Sequence, residues 1–315
     1  MPATKPNILL ILTDQQRADT IAALGNERIR TPNLDRLVTE GAAFTNAYSP
    51  SPVCAPARAC LHYGQYPAKT QCLGNIHPTT PDDRESYADV LSRNGYETIG
   101  IGKCHFLPDR LALRGFKRRL TQEEAPRSIE DDDYLKFIRQ SPYKNTRDVH
   151  GTWRDLLYMP QTSPLDEAHH PTQWVGDRTI DFVREQAGGA QPWMAFCSFI
   201  HPHPPYAPPA PWDMLYTPDE MELPYQPDGY EARQPAFQGS DGLHHYYFDP
   251  PVSDTLWRMV KARYYACVSF VDHQVGCILD ALESSGQLEN TLIVFSSDHG
   301  EMLGDLGLIG KGNMY

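Results

Sequence analysis

The chain has 315 residues, about two to three times the commonest domain size, so it holds one large domain or two ordinary ones. Its 40% hydrophobic and 22% charged residues suffice for a globular core, and 28 Lys plus Arg against 40 Asp plus Glu leave a formal charge of −12. That acidic balance argues against a nucleic-acid partner, and no apolar run nears the roughly 18 residues of a membrane span.

In chain order, Asn7–Thr13 is the first of several short apolar runs that read as strands. Its apolar stretch Ile8–Leu12 falls short of the roughly 7–15 residues of a secretory h-region and lacks a small-residue cleavage site. The chain is therefore expected to be soluble and cytoplasmic. Thr31-Pro32 offers an N-cap and a Pro at the first helical position, with Leu34, Leu37 and Val38 on one face and Gly41 at the stop. Cys54–Gly64 is compatible with a helix, and Ser86–Gly95 repeats the capped design with Tyr87, Val90 and Leu91 inward. Strands follow at Thr98–Lys103 and Trp193–Phe199. A long helix is predicted over Asp254–Glu283, with Val260, Val271, Val275, Ile278 and Leu282 at helical spacing and Gly286 after it. Thr291–Ser297 is the last strand. It, Asn7–Thr13 and Trp193–Phe199 are apolar at nearly every position, the pattern of parallel strands covered on both faces. Strands alternating with helices predict an α/β sandwich, a mostly parallel sheet between helices.

Residues 105–170 and 202–253 break this rhythm with charge, Pro and few periodic apolar positions, and are expected to be binding loops. Trp153, Trp174, Tyr206, Trp212 and Tyr225 within or beside them could stack on a substrate ring or simply pack. No element is completed between Ser297 and Tyr315, which suggests a truncated chain. The seven cysteines form an odd set with no CxxC pair, arguing against a zinc ribbon or a disulfide framework.

The chemistry-bearing residues collect after strands. Asp14 and Gln15 follow the first strand, and Asp298 and His299 follow the last. In an open parallel sheet both pairs face one crevice, offering carboxylate, amide oxygen and imidazole to a divalent cation. Each Asp could equally be a cap or turn residue. Cys54 opens a helix, where unpaired N–H groups and the positive dipole end favour an anion, and Arg58 lies one turn on. The alternative is a buried Cys before a Pro-initiated helix. Lys103 and His105 follow the second strand, His203 the third, and Lys311 comes soon after the last.

These motifs resemble the sulfatases of the alkaline phosphatase superfamily. The likeness runs from Pro6-Asn7-Ile8 and Thr31–Leu37 through the Cys-x-Pro-x-Arg signature at Cys54–Arg58. It continues with Gly102–His105, Pro202-His203-x-Pro205, Ser297-Asp298-His299-Gly300-Glu301 and Gly310-Lys311-Gly312. The resemblance implies a catalytic domain spanning 1–315, with the family's small C-terminal sheet domain absent from this chain. It implies that a separate maturation enzyme oxidises Cys54 to formylglycine, whose hydrated aldehyde attacks sulfur and later expels sulfate by reforming the aldehyde. By the same resemblance Asp14, Gln15, residue 54, Asp298 and His299 hold one divalent cation, and Arg58 and Lys103 steady the diol. His105 would then act as base, His203 as acid to the leaving oxygen, and Lys311 as a clamp on sulfate oxygens.

Two departures stand out. Gln15 replaces a second Asp and His299 replaces an Asn, a variant similar to the branch containing phosphonate monoester hydrolases. The imidazole makes Mn²⁺ a rival to Ca²⁺. Leu306 and Cys104 also stand where His and Trp are common. The expected substrate is a small sugar, aryl or alkyl sulfate. Phosphonate monoester or phosphodiester hydrolysis on the same scaffold is the first alternative, and a catalytically silent anion-binding relative the second.

Overall fold

The computed structural model describes residues 5–75, 84–153, 156–228 and 253–312; residues 229–252 of the second insertion and the tail 313–315 lie outside them. Five strands, β1 (Asn7–Asp14), β2 (Glu97–Gly102), β3 (Arg118–Thr121), β4 (Trp193–Pro202) and β5 (Thr291–Ser297), form one sheet in the order β3-β2-β4-β1-β5. Every pairing is parallel, with Ile8 opposite both Met194 and Leu292. The helices are α1 (Pro32–Glu40), α2 (Cys54–Tyr63), α3 (Pro67–Thr70), α4 (Tyr87–Arg93), α5 (Asp133–Arg139), α6 (Pro171–Glu185) and α7 (Asp254–Ser284). The expected strands and helices are present. β3, α3, α5 and α6 add to them, and β3 and α5 give structure to the stretch 105–170.

Alternation along the strands sorts the core into two layers. Leu9, Ile11, Ile99 and Ile101 pack with Val175 and Phe182 of α6 and Val275 and Ile278 of α7. Leu12, Met194 and Phe196 face the other way, onto Ala88 of α4 and Phe106 and Phe116. Each fully buried Leu or Ile side chain contributes roughly 1.5–3 kcal/mol, so this double layer is what fixes strand register. β4 is buried at every position. β5 is not, contrary to its apolar sequence: it pairs with β1 on one side, and Leu292 and Val294 remain 54% and 40% exposed.

The helix caps differ in mechanism. Ser86 and Asp89 form the reciprocal capping box of α4. Thr31 stands at the N-cap of α1 but makes no capping bond; Asp272 of α7 accepts from the N–H groups of Asn33 and Leu34 instead. Trp174 and Tyr206 are buried among core side chains, which removes them as stacking platforms for a substrate. All seven cysteines are free thiols. Among the described residues no helix is long and apolar enough to cross a membrane.

What matters for function is the carboxyl edge of the sheet. Asp14 ends β1, Lys103 follows β2, Glu123 and Glu124 follow β3, His203 follows β4 and Asp298 follows β5. Gly102 makes the exit from β2 possible, because its φ of +88° is left-handed and a Cβ there would overlap the Ser198 carbonyl.

Candidate active site

β1 places Asp14 at 0% exposure, and the chain then turns through Gln15 at a left-handed φ of 67°. Tyr264 of α7 holds that turn: its hydroxyl donates to the Gln15 carbonyl at 2.7 Å and accepts from Arg17 N–H at 2.9 Å. β5 brings Asp298 alongside, where its Oδ1 accepts from the N–H groups of Gln15 at 3.1 Å and His299 at 2.9 Å. α2 begins at Cys54, so the buried sulfur sits at the positive end of the helix dipole, where Ala55 N–H donates to Asn75 Oδ1 and Ala57 N–H to the Val53 carbonyl.

The Cys54 sulfur is the meeting point. Lys311 Nζ approaches it at 2.7 Å, His299 Nε2 at 3.2 Å and Asp14 Oδ1 at 3.6 Å. Arg58, one turn along α2, spans both acids, donating from Nε to Asp298 at 2.8 Å and from a terminal nitrogen to Asp14 at 3.1 Å. Its other terminal nitrogen reaches the Lys103 carbonyl and Ser198 Oγ. Fully buried Lys103 places Nζ 2.6 Å from both Asp14 Oδ2 and Glu124 Oε2.

His105 adopts a left-handed φ of 55°, and its N–H and that of Cys104 donate to the Glu123 carboxylate at 3.1 Å. The imidazole is buried, and its Nδ1 has no hydrogen-bond partner among the described residues. His203 closes the far side. Its Nδ1 donates to the Pro204 carbonyl at 2.6 Å, leaving Nε2 facing Glu124 at 3.4 Å. The structure thus gathers Asp14, Gln15, Cys54, Arg58, Lys103, His105, His203, Asp298, His299 and Lys311 at the carboxyl edge of the sheet, whereas Trp174 and Tyr206 lie in the core.

Opposed charges set the protonation states. Burial alone disfavours a Cys54 thiolate, but Lys103, Lys311 and His299 hold the thiol well below its ordinary value. Burial and the Cys54 charge push Asp14 up, yet Lys103, Lys311 and His203 keep it below the usual carboxylate range. Asp298 goes the other way, raised by burial and by the neighbouring Asp14 charge. Burial would lower His299, but Asp298 and Cys54 raise it to about 9. Glu124 would be raised by burial and is instead held at about 2 by Lys103 and His203.

The sulfatase family model matches residues 6–315. The chain belongs to the sulfatase family. It is 33% identical over 328 residues to an arylsulfatase of Clostridium perfringens, covering 99% of this chain and 66% of that protein. It is 31% identical over 326 residues to a choline-sulfatase of Rhizobium meliloti, covering 100% and 61%. Among solved structures it resembles the phosphonate monoester hydrolase of Agrobacterium radiobacter with a TM-score of 0.84 and 27% identity, over 99% of this chain and 66% of that one. The chain thus spans 61–66% of the length of these relatives.

The sulfatase family implies a divalent cation, and the residues here fit one. Ligand atoms of Asp14, Cys54, Asp298 and His299 lie within 4.8 Å of one another. His299 Nδ1 donates to the Gly300 carbonyl at 3.0 Å, so Nε2 is the nitrogen that a metal would take, in place of its proton. Gln15 Oε1 is buried without a hydrogen-bond partner, an orphan that a cation would satisfy. Three site residues escaped the sequence reading. Glu123 and Glu124 follow the short strand β3, and only that strand would have marked them. Glu301 lies inside a sulfatase motif but shows no role until its bonds to Gln15 and Gly310 are seen.

Proposed function

We propose that this chain is the hydrolytic unit of a sulfate ester hydrolase acting through formylglycine made from Cys54. The observation that carries the proposal is the surroundings of the Cys54 sulfur: a helix N-terminus, with Lys311, His299 and Asp14 within 3.6 Å. Asp14, Gln15, Asp298, His299 and residue 54 would hold one divalent cation, Ca²⁺ or Mn²⁺. Such an ion supplies Lewis acidity, offsetting negative charge that grows on reacting oxygens. Formylglycine supplies a hydrated aldehyde as nucleophile, installed by a separate maturation enzyme.

The remaining work falls to side chains. Arg58 and Lys103 neutralise Asp14 and Asp298 and keep residue 54 aligned over the crevice. Of the three cations, Lys311 is the one best placed for sulfate oxygens, since it approaches Cys54 without being committed to a short carboxylate bond. His105 takes the base role beside residue 54. With Nδ1 donating to the Pro204 carbonyl, His203 serves as the acid in its doubly protonated form, in which Nε2, facing Glu124, carries the second proton and gives it to a leaving alkoxide.

The substrate class we infer is a small sulfate ester such as choline sulfate, an aryl sulfate or a sugar sulfate, the first two matching the names of the relatives above. Phosphonate monoester hydrolysis is the second reading, favoured by the 0.84 TM-score to such an enzyme. Turnover of 4-nitrophenyl sulfate against a matched aryl phosphonate, with the intact mass of the Cys54 peptide, tests both. Sulfate preference with a mass lowered by thiol-to-aldehyde conversion supports the proposal. Turnover by an unconverted thiol overturns the formylglycine mechanism, and phosphonate preference overturns the substrate class.

A further inference from the structure

Glu301 is 5% exposed and has no part in the chemistry above. Its two carboxylate oxygens serve different partners. Oε2 accepts from the side-chain Nε2 of Gln15. Oε1 accepts from the backbone N–H of Leu303 at 3.0 Å and from that of Gly310, the residue before Lys311. At the other end of the same Gln15 amide, Oε1 is buried and unpartnered.

A primary amide has one donating and one accepting end, whereas a carboxylate only accepts. Glu301 therefore dictates which end of Gln15 faces it, and the amide oxygen must turn away. The backbone of Gln15 is bonded to Asp298 and follows Asp14, so the freed oxygen belongs to the edge of the carboxylate cluster. An unpaired buried acceptor is costly, and a cation ligated there removes that cost.

Resting on the metal-dependent reading above, we propose that Glu301 is a positioning residue with two duties. It orients the Gln15 amide so that oxygen, not nitrogen, is offered to the divalent cation. With its second oxygen it holds the Leu303–Gly310 loop that delivers Lys311 to Cys54. One carboxylate thereby couples the metal centre to the cation proposed for sulfate.

The isosteric substitution Glu301→Gln exposes this logic. Both partners of Oε1 are backbone donors, so the new amide keeps its oxygen on them and turns its NH₂ toward Gln15. Two NH₂ groups cannot share a bond. The Gln15 amide turns over, accepts with Oε1, and leaves nitrogen facing the cation.

Mn²⁺ titration calorimetry on the full-length protein tests the proposal without reference to turnover. Glu301→Gln is expected to weaken Mn²⁺ binding by roughly 10–100-fold. Adding Gln15→Glu restores it, since a carboxylate at position 15 accepts from the new amide with one oxygen and offers the other to the ion. Gln15→Glu beside native Glu301 sets two carboxylates face to face and gives no such gain. A coupling of this kind is what a merely structural role for Glu301 does not produce. Wild-type affinity in Glu301→Gln, or an equal effect of Gln15→Glu in both backgrounds, overturns the proposal. A wild-type protein that binds neither Mn²⁺ nor Ca²⁺ overturns the metal reading itself, a separate and distinguishable failure. Should Glu301→Gln not fold, a crystal of the wild-type protein with Mn²⁺ decides: Gln15 Oε1 on the ion with Nε2 on Glu301 supports the proposal, and Gln15 away from the ion overturns it.

Discussion

Arg58 and Asp298 are joined by a 2.8 Å bond that ties the first turns of α2 to the end of β5, and the same guanidinium reaches Asp14 at 3.1 Å. All three side chains are at most 3% exposed, so the bridge is a buried one. Removing one member of a buried ion pair costs about 3–5 kcal/mol, because the charges left behind stay desolvated and unpaired. Arg58→Leu is therefore expected to lower unfolding stability by about that amount, read from urea transitions. Saturating Mn²⁺ should raise its melting temperature more than that of the wild type, because the ion replaces the missing positive charge. A loss under about 1 kcal/mol, or no extra response to Mn²⁺, would show that the bridge carries less than its burial implies.

Cys54→Ala should abolish sulfate ester turnover while leaving the fold intact. The sulfur is a small part of the packing, and an ordinary destabilisation of about 1 kcal/mol is expected in thermal unfolding. Cys54→Ser should fail nearly as badly, since a serine ester cannot expel sulfate by reforming an aldehyde. Retention of more than about one-tenth of wild-type turnover in Cys54→Ala would sink the nucleophile assignment.

Asp132 gives the fold around His105 a pH dependence. Its carboxylate accepts from Glu123 N–H and Leu135 N–H, each at 2.8 Å, and Glu123 in turn holds the N–H groups of Cys104 and His105. Burial outweighs those bonds and pushes the Asp132 carboxyl up from 3.8 to about 7. The folded state thus binds this proton more tightly than the unfolded chain. Its stabilising contribution is complete below about pH 4 and is lost as pH rises through about 7, with a steepest slope near 1.4 kcal/mol per pH unit. Measured by urea unfolding across that range, the wild type should lose stability as pH rises relative to Asp132→Asn, which does not titrate. A difference that stays flat would refute the assignment.

Much of this architecture is legible in the sequence because burial on both faces writes itself into composition. Asn7–Thr13 and Trp193–Phe199 are such strands, and the acids and cations after them fall on one edge by the geometry of a parallel sheet. β3 was illegible for the opposite reason: Arg118-Arg119-Leu120-Thr121 is an edge strand whose pairing with β2 replaces apolar content as its support. Thr291–Ser297 misled in degree, since its apolar residues predict two covered faces while Leu292 and Val294 are exposed. Charged partners were hidden altogether. Nothing in Gln122-Glu123-Glu124 distinguishes a solvated acidic run from the residues that hold His105 and Lys103, because only long-range folding supplies their partners.

The proposed roles of His203 and Lys311 can be separated by the substrate. A general acid matters in proportion to the leaving group's need for a proton. His203 has Nδ1 committed to the Pro204 carbonyl and Nε2 open to the crevice beside Glu124, a geometry suited to that task. His203→Ala should barely slow an activated nitrophenyl sulfate, whose phenoxide leaves unaided. It should slow an alkyl or sugar sulfate by roughly the 10²–10⁴-fold that general acid catalysis supplies. Lys311, 2.7 Å from the Cys54 sulfur, is placed instead for sulfuryl oxygens common to every substrate. Lys311→Ala should therefore slow both classes to a similar degree. Plotting rate against leaving-group pKa for each variant decides between these roles: a steeper dependence in His203→Ala alone supports them, and equal slopes in both variants would mean that the two residues only line the crevice.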